Sequence, residues 1–246
     1  MKEKARLYKG KDYATTAKDS SDPRLRKVVE AFSTRKFERV LDVGCGDGNF
    51  SLALKGASNA REVYGIEISP EGVELANKAG VKAFCLDIDE EDFPFADNFF
   101  DAVFCGEIIE HLYNPDHLLE EVRRTLKPKG LLVISTLNLA GWFNRIGLLF
   151  GFQPYGTNPS LKHVVGHMSN SPSDGIMVTS DHVRVFTLRS LKRLLRIYAF
   201  GIFRIIGVHE NVPHEIPLSA LLNIADRAFS LCPSLSYRVV ICSEKR

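Results

Sequence analysis

Three carboxylates each close an apolar run: Asp42 after Val40-Leu41, Glu67 after Tyr64-Gly65-Ile66 and Asp87 after Phe84-Cys85-Leu86. Beside the first lies Gly44-Cys45-Gly46-Asp47-Gly48, with glycine at alternate positions. Such spacing allows a tight turn and lets backbone approach a ligand closely. A carboxylate placed like Glu67, at the end of the next apolar run, can hold ribose hydroxyls. The dinucleotide fingerprint would put its third glycine at 49, where this chain has Asn49. Three acids around one loop disfavour a pyrophosphate. They favour a nucleoside without phosphate, above all a cationic one.

A second constellation is Glu107-Ile108-Ile109-Glu110-His111. On a helix, positions 107, 110 and 111 would share one face. Carboxylate plus imidazole can hold a divalent cation, and imidazole alone can take a proton. Asp181-His182, just before Phe186-Thr187, is a downstream counterpart. Arg184 could clamp a carboxylate or phosphate of an acceptor, or form an ordinary surface ion pair. His163 and His167 are also four apart, but Gly166 and the loop composition argue against a helical metal pair there. Residues 139–150 form an apolar stretch whose one charge is Arg145. It could cover a hydrophobic acceptor, with Trp142 in contact, or touch a membrane surface. The absence of a lysine-rich face favours a lid helix packed on the core.

These groups need elements to position them. Asp22-Pro23 starts a helix to about Ser33, with Pro suited to the first helical position. Strands follow over Arg39–Val43, Glu62–Ile68, Val81–Leu86, Phe99–Cys105 and Gly130–Thr136. Helices are expected from Phe50 to Leu54, from Pro70 to Lys78 and after Asn114-Pro115. Thr187 caps a helix that Gly201 ends. Ile202–Val208 and Ser236–Cys242 are the last strands, with helix over 217–231 between them. Residues 137–181 read as irregular, and a stretch that long inside a domain is usually a functional lid or insert. Strands alternating with helices mean a parallel sheet covered on both faces, which binds ligands at the carboxyl ends of its strands. The chain reads as a polar arm over 1–20, with Tyr8 and Tyr13 able to close over a ligand, then one domain over 21–246 whose insert, 137–186, covers the acceptor site.

Composition narrows the class. At 246 residues, 45% hydrophobic and 25% charged, the chain is long enough to bury a core without disulfides or a structural metal. Its five cysteines sit singly in apolar runs, which reads as a reduced, cytoplasmic protein. No apolar run is long enough to span a membrane. The net charge of +2 hides basic ends around a middle, residues 41–130, with 8 basic and 18 acidic side chains. That pattern suits a cationic ligand in the centre. The face of Arg189, Lys192, Arg193 and Arg196 reads as the wet side of a helix, and nucleic acid is not the expected partner.

Taken together, Val40–Phe50 resembles motif I of the class I S-adenosylmethionine-dependent methyltransferases. Gly65-Ile66-Glu67 resembles their ribose-binding strand end, and Cys85-Leu86-Asp87-Ile88 their adenine contact. Phe100–Glu107 resembles their motif IV, beneath the methionine part, and Leu126–Leu131 their turn before strand five. The resemblance covers residues 38–136. It implies an α/β fold with a seven-stranded, doubly wound, mostly parallel sheet, the last strand antiparallel between strands five and six. It implies S-adenosylmethionine as cofactor, bound around Asp42, Gly44, Gly46, Gly48, Glu67, Ile68, Asp87, Ile88, Cys105 and Glu107. The E-x-x-E-H run resembles Mg²⁺-dependent O-methyltransferases of ubiquinone biosynthesis and of small-RNA 3′-end methylation. That implies Mg²⁺ at Glu107, Glu110, His111 and His182; the alternative to a metal is His111 or His182 as the catalytic base or a substrate contact, or a purely structural role. The expected activity is methyl transfer to a small or lipid-like acceptor, at oxygen. The alternatives are a metal-dependent RNA-end O-methyltransferase, or an accessory protein of the methionine-biosynthesis type, which Gly65–Val73 and Asp87–Glu90 also resemble. An NAD-dependent oxidoreductase ranks third, because position 49 lacks the glycine.

Overall fold

A computed structural model describes residues 22–160, 163–168, 182–210 and 219–246. The expected N-terminal arm with Tyr8 and Tyr13, and Asp181, lie outside the described residues.

Seven strands form one sheet in the order β3-β2-β1-β4-β5-β7-β6. They are β1 (Arg39–Val43), β2 (Glu62–Glu67), β3 (Lys82–Cys85), β4 (Phe100–Gly106), β5 (Leu126–Leu137), β6 (Phe200–Val208) and β7 (Arg238–Lys245). The first five run parallel, and β7 runs antiparallel to both β5 and β6. This is the sheet that the resemblance implied. Helices fill the connections: α1 (Pro23–Phe32), α2 (Asn49–Ser58), α3 (Pro70–Ala79), α4 (Pro115–Thr125), α5 (Trp142–Leu149), α6 (Leu188–Ile197) and α7 (Ser219–Ser230).

Side-chain alternation along the strands makes two cores. On one face Leu41, Val43, Val103, Cys105, Leu132 and Ile134 pack with Leu118, Leu119 and Val122 of α4 and Leu191 and Leu195 of α6. On the other, Val40, Ala102, Phe104, Leu131 and Val133 pack with Val28 and Phe32 of α1, Leu54 of α2 and Ala76 of α3. Period two therefore sends Asp42 to the second face, where the Ser51 hydroxyl of α2 donates to its Oδ2 at 2.6 Å.

Helix starts follow local chemistry. Asp22, Ser69, Asn114 and Thr187 each cap a helix by accepting a backbone N–H, and Pro follows directly in three of the four. Four expectations change. The helix after the glycine loop runs on to Ser58, because Leu54 anchors it in the core. The helix after Thr187 ends before Gly201: Tyr198 caps it, Ala199 takes the left-handed turn at φ 56°, and Gly201 lies in β6. The stretch after β5 is not wholly irregular, since it opens with α5. Glu107–His111 is not an α-helical face. Glu107 itself is left-handed (φ 51°), and only Ile109–His111 turns, as a 3₁₀ helix.

Candidate functional site

β1 and β4 are neighbours in the sheet, but their connections leave in opposite directions, toward β2 and toward β5. The loops after them splay apart, which opens a crevice at their carboxyl ends. The glycine loop lines it. Gly44, Gly46 and Gly48 all have positive φ (79°, 53° and 80°). A Cβ on Gly44 would meet Ile108 Cδ1 at 2.9 Å, so the loop and the turn after β4 are packed against each other. The loop is pinned by the Gly44 and Cys45 amides, which donate to Ile66 O at 2.8 and 3.1 Å.

Glu67 ends β2 with its carboxylate buried under the loop. Its Oε2 accepts from the Gly46 N–H and its Oε1 from the Ser69 N–H, both at 3.0 Å. The two backbone bonds orient Glu67 beneath the loop. Asp87 lies beyond the end of β3 and is also buried, with Oδ1 accepting from the Asp89 N–H at 3.2 Å. Burial pushes the Asp42 acid up to about 7, against the pull of the Ser51 hydroxyl bond, and the Glu67 charge adds to the rise. Ile68 is half-buried beside this crevice. The side chains of Ile88 and Cys105 join the core, and burial drives the Cys105 thiol well above its ordinary range.

A second group stands one turn from the loop. One ligand atom from each of Glu110, His111 and His182 lies within 4.8 Å of the others, the only such trio among the described residues. The His111 and His182 rings pack edge-on, centroids 4.7 Å apart. Glu110 is fully buried, and neither of its oxygens meets a hydrogen bond of full geometry among the described residues. Burial pushes its acid up to about 7, and the Glu107 charge adds to the rise. Its backbone carbonyl accepts from the Val183 and Arg184 amides at 2.8 and 3.0 Å, which brings His182 to the site. His182 Nδ1 faces Gly156 O at 2.9 Å. A carbonyl only accepts, so Nδ1 carries the proton in this bond.

Glu107 departs from the expected ligand set. Its left-handed backbone turns the carboxylate to Arg238, whose Nε donates to Oε2 at 2.9 Å, and toward Arg24 at 3.7 Å. Arg238 also pairs with Glu210. Arg24 and Arg238 were missed by sequence reasoning. They lie outside the recognised motifs, and only the fold brings α1 and the start of β7 to the end of β4. Trp142 and Arg184 also have partners within the chain. Trp142 Nε1 donates to Asp226 at 2.6 Å and its ring stacks on Phe229 of α7. Arg184 is exposed and donates to Tyr113 O at 3.0 Å. His163 and His167 form no joint site: His163 is exposed, and His167 is buried against Tyr155.

Residues 41–134 match a family described as a methyltransferase domain. A tRNA U34 carboxymethyltransferase from Methylococcus capsulatus is 34% identical over 134 residues, 51% of this chain and 40% of that protein. A ubiquinone biosynthesis O-methyltransferase from Xanthomonas oryzae is 37% identical over 106 residues, 41% of this chain and 43% of that protein. The chain thus spans less than half the length of these relatives. A putative methyltransferase from Bacillus halodurans superposes with TM-score 0.60 at 17% identity, covering 90% of this chain and 98% of that one. That likeness shows the fold alone. The matched segment holds the glycine loop, Glu67, Asp87 and the turn after β4, on the sheet order described above. Residues 41–134 of the chain thus carry a methyltransferase domain.

Proposed function

We propose that this chain transfers a methyl group from S-adenosylmethionine to an oxygen of a small or lipid-like acceptor. The observation that carries the reading is the placement of Glu110, His111 and His182 one turn from the glycine loop, with Ile108 packed on Gly44. The likeness to an O-methyltransferase of ubiquinone biosynthesis supports oxygen.

S-adenosylmethionine supplies a methyl on a sulfonium, already a good leaving group, so the protein's task is in-line placement and proton removal. Glu67 and Asp87, both buried at strand ends, hold the nucleoside through its hydroxyl and amino donors. The positive-φ loop over Gly44, Gly46 and Gly48 lets backbone lie against it, and Asp42 stands behind that loop, where a bound sulfonium would favour its charged form. His182 takes the acceptor's hydroxyl proton at Nε2, while the Nδ1–H bond to Gly156 fixes the ring. His111 packs on that ring and Glu110 stabilises the imidazolium that forms.

A second reading adds a divalent cation on Glu110, His111 and His182. The buried Glu110 carboxylate without a full hydrogen bond favours it, because such a group is stabilised by a cation. With Glu107 turned to Arg238, these three are the ligands the chain would supply. The cation would acidify the acceptor hydroxyl.

Calorimetry with S-adenosylhomocysteine, with and without Mg²⁺, tests both. The expected result is binding that Glu67→Ala weakens by about 10- to 100-fold, the range of lost hydrogen bonds to a charged group. Binding of Mg²⁺ that His111→Ala abolishes would select the second reading. If folded protein ignores the nucleoside, the methyltransferase proposal fails and the accessory-protein alternative takes its place. Methyl transfer to RNA ends rather than to phenolic or lipid-like hydroxyls would overturn the acceptor assignment.

A further inference from the structure

The stretch read as a lid packed on the core is only half packed. In α5, Asn144 and Gly147 are buried, and Trp142 is tied to α7. The rest of the segment turns outward: Ile146, Leu148, Leu149 (80% exposed) and Phe150 (70%). α7 does the same. Leu221 and Ile224 (66% exposed) share its outer face at helical spacing, and Leu231 (87%) follows directly after its last turn. The two helices touch through the Trp142–Phe229 stack, centroids 5.1 Å apart. A single exposed leucine means little, but this many on two touching helices mark an interaction surface.

Charge says what covers it. Residues 142–160 contain no acid, and residues 219–237 contain one, Asp226. Asp226 is buried, consumed by the Trp142 indole and the Glu210 N–H. The charges left outside on these helices are Arg145 and Arg227, both exposed. Arg145 donates to the Ala140 and Ser234 carbonyls, which anchors it without cancelling its charge. Large apolar side chains with arginines and no exposed carboxylate are what an anionic bilayer surface binds. A second copy would set arginines against arginines across the contact, which disfavours self-pairing.

We propose that the outer faces of α5 and α7 form a docking surface for an anionic lipid bilayer. No described helix is long and apolar enough to cross a membrane, so the contact is interfacial. Gly156, a few residues past the end of α5, supplies the carbonyl that faces His182 Nδ1. The inference stands on exposure and charge, independently of the methyl-transfer reading.

Co-sedimentation of the full chain with vesicles tests it without any turnover. The vesicles are phosphatidylcholine alone, or with about one third phosphatidylglycerol for the anionic case. The chain is expected to sediment with the anionic vesicles. Leu149→Asp with Phe150→Asp at the end of α5, and separately Ile224→Asp with Leu231→Asp in and just after α7, should each cut binding by at least about tenfold. All four side chains are exposed, so circular dichroism should stay unchanged. Arg227→Gln should weaken anionic binding by about fivefold. The proposal is overturned if the wild type does not sediment. It is also overturned if neither pair of aspartates matters, or if light scattering shows a dimer that the α5 pair dissociates, since a second copy would then cover the face.

Discussion

Asp42, at a strand end, has a carboxyl whose chemistry departs far from its ordinary behaviour. The unfolded chain ionises it near 3.8, and burial moves that to about 7 in the fold. Below the lower value both states hold the proton and nothing is lost. As pH rises between the two, only the unfolded state gains by ionising, so this group progressively destabilises the fold, by up to about 4 kcal/mol above pH 7. Asp42→Asn keeps an acceptor for Ser51. The variant should melt higher than wild type at about pH 8 and no differently at about pH 3. A variant that melts lower at the alkaline end would show that Asp42 is ionised and satisfied in the free protein. The cost makes sense at a site for a cation, because a bound sulfonium favours the charged form.

Among the elements, the glycine loop and α3 are fitted to each other. A Cβ on Gly48 would come within 2.8 Å of Val81 Cγ2 and 3.0 Å of the Ala76 backbone, and the residue sits at φ 80°. Gly48→Ala combines left-handed strain with overpacking, for a loss of about 2–4 kcal/mol. Urea unfolding should show that loss as a lower midpoint with an unchanged slope. An unshifted midpoint would mean the loop relaxes freely. At the other end of the sheet, Trp142→Phe preserves the ring stack on Phe229 but removes one donor from buried Asp226. The loss should be about 1–3 kcal/mol. It should appear as faster hydrogen exchange in α7 with little change near β1.

The whole molecule joins what the chain separates. His111 and His182 lie 71 positions apart in the numbering, yet their rings touch. The contact is made by the Glu110 carbonyl, which catches the Val183 and Arg184 amides as the segment after β5 returns. Groups that act as a unit are non-additive when removed. On the proposed chemistry, His182→Ala should lower kcat by about 10²–10⁴-fold with S-adenosylhomocysteine affinity unchanged. Adding His111→Ala should cost far less than its single effect. Full additivity in that cycle would separate the two rings and leave His111 with a packing role.

Local signals along the chain account for the sheet, the glycine loop and the acids around it: alternation along β1 and β4, caps at Asp22, Ser69, Asn114 and Thr187, and glycines where φ is positive. Glu67 and Asp87 could be placed at strand ends because a strand end is a property of ten or so consecutive residues. Tertiary structure alone decided the rest. A left-handed backbone at Glu107 removed it from the expected ligand set, and long-range partners, Arg238 and Arg24, took its carboxylate. Periodicity showed that 139–150 was apolar, but not which side would find a core. α7 took Trp142, and the opposite face of α5 was left exposed. Such outcomes depend on which distant segments arrive to satisfy a charge or cover a face, and that information is spread over the whole chain.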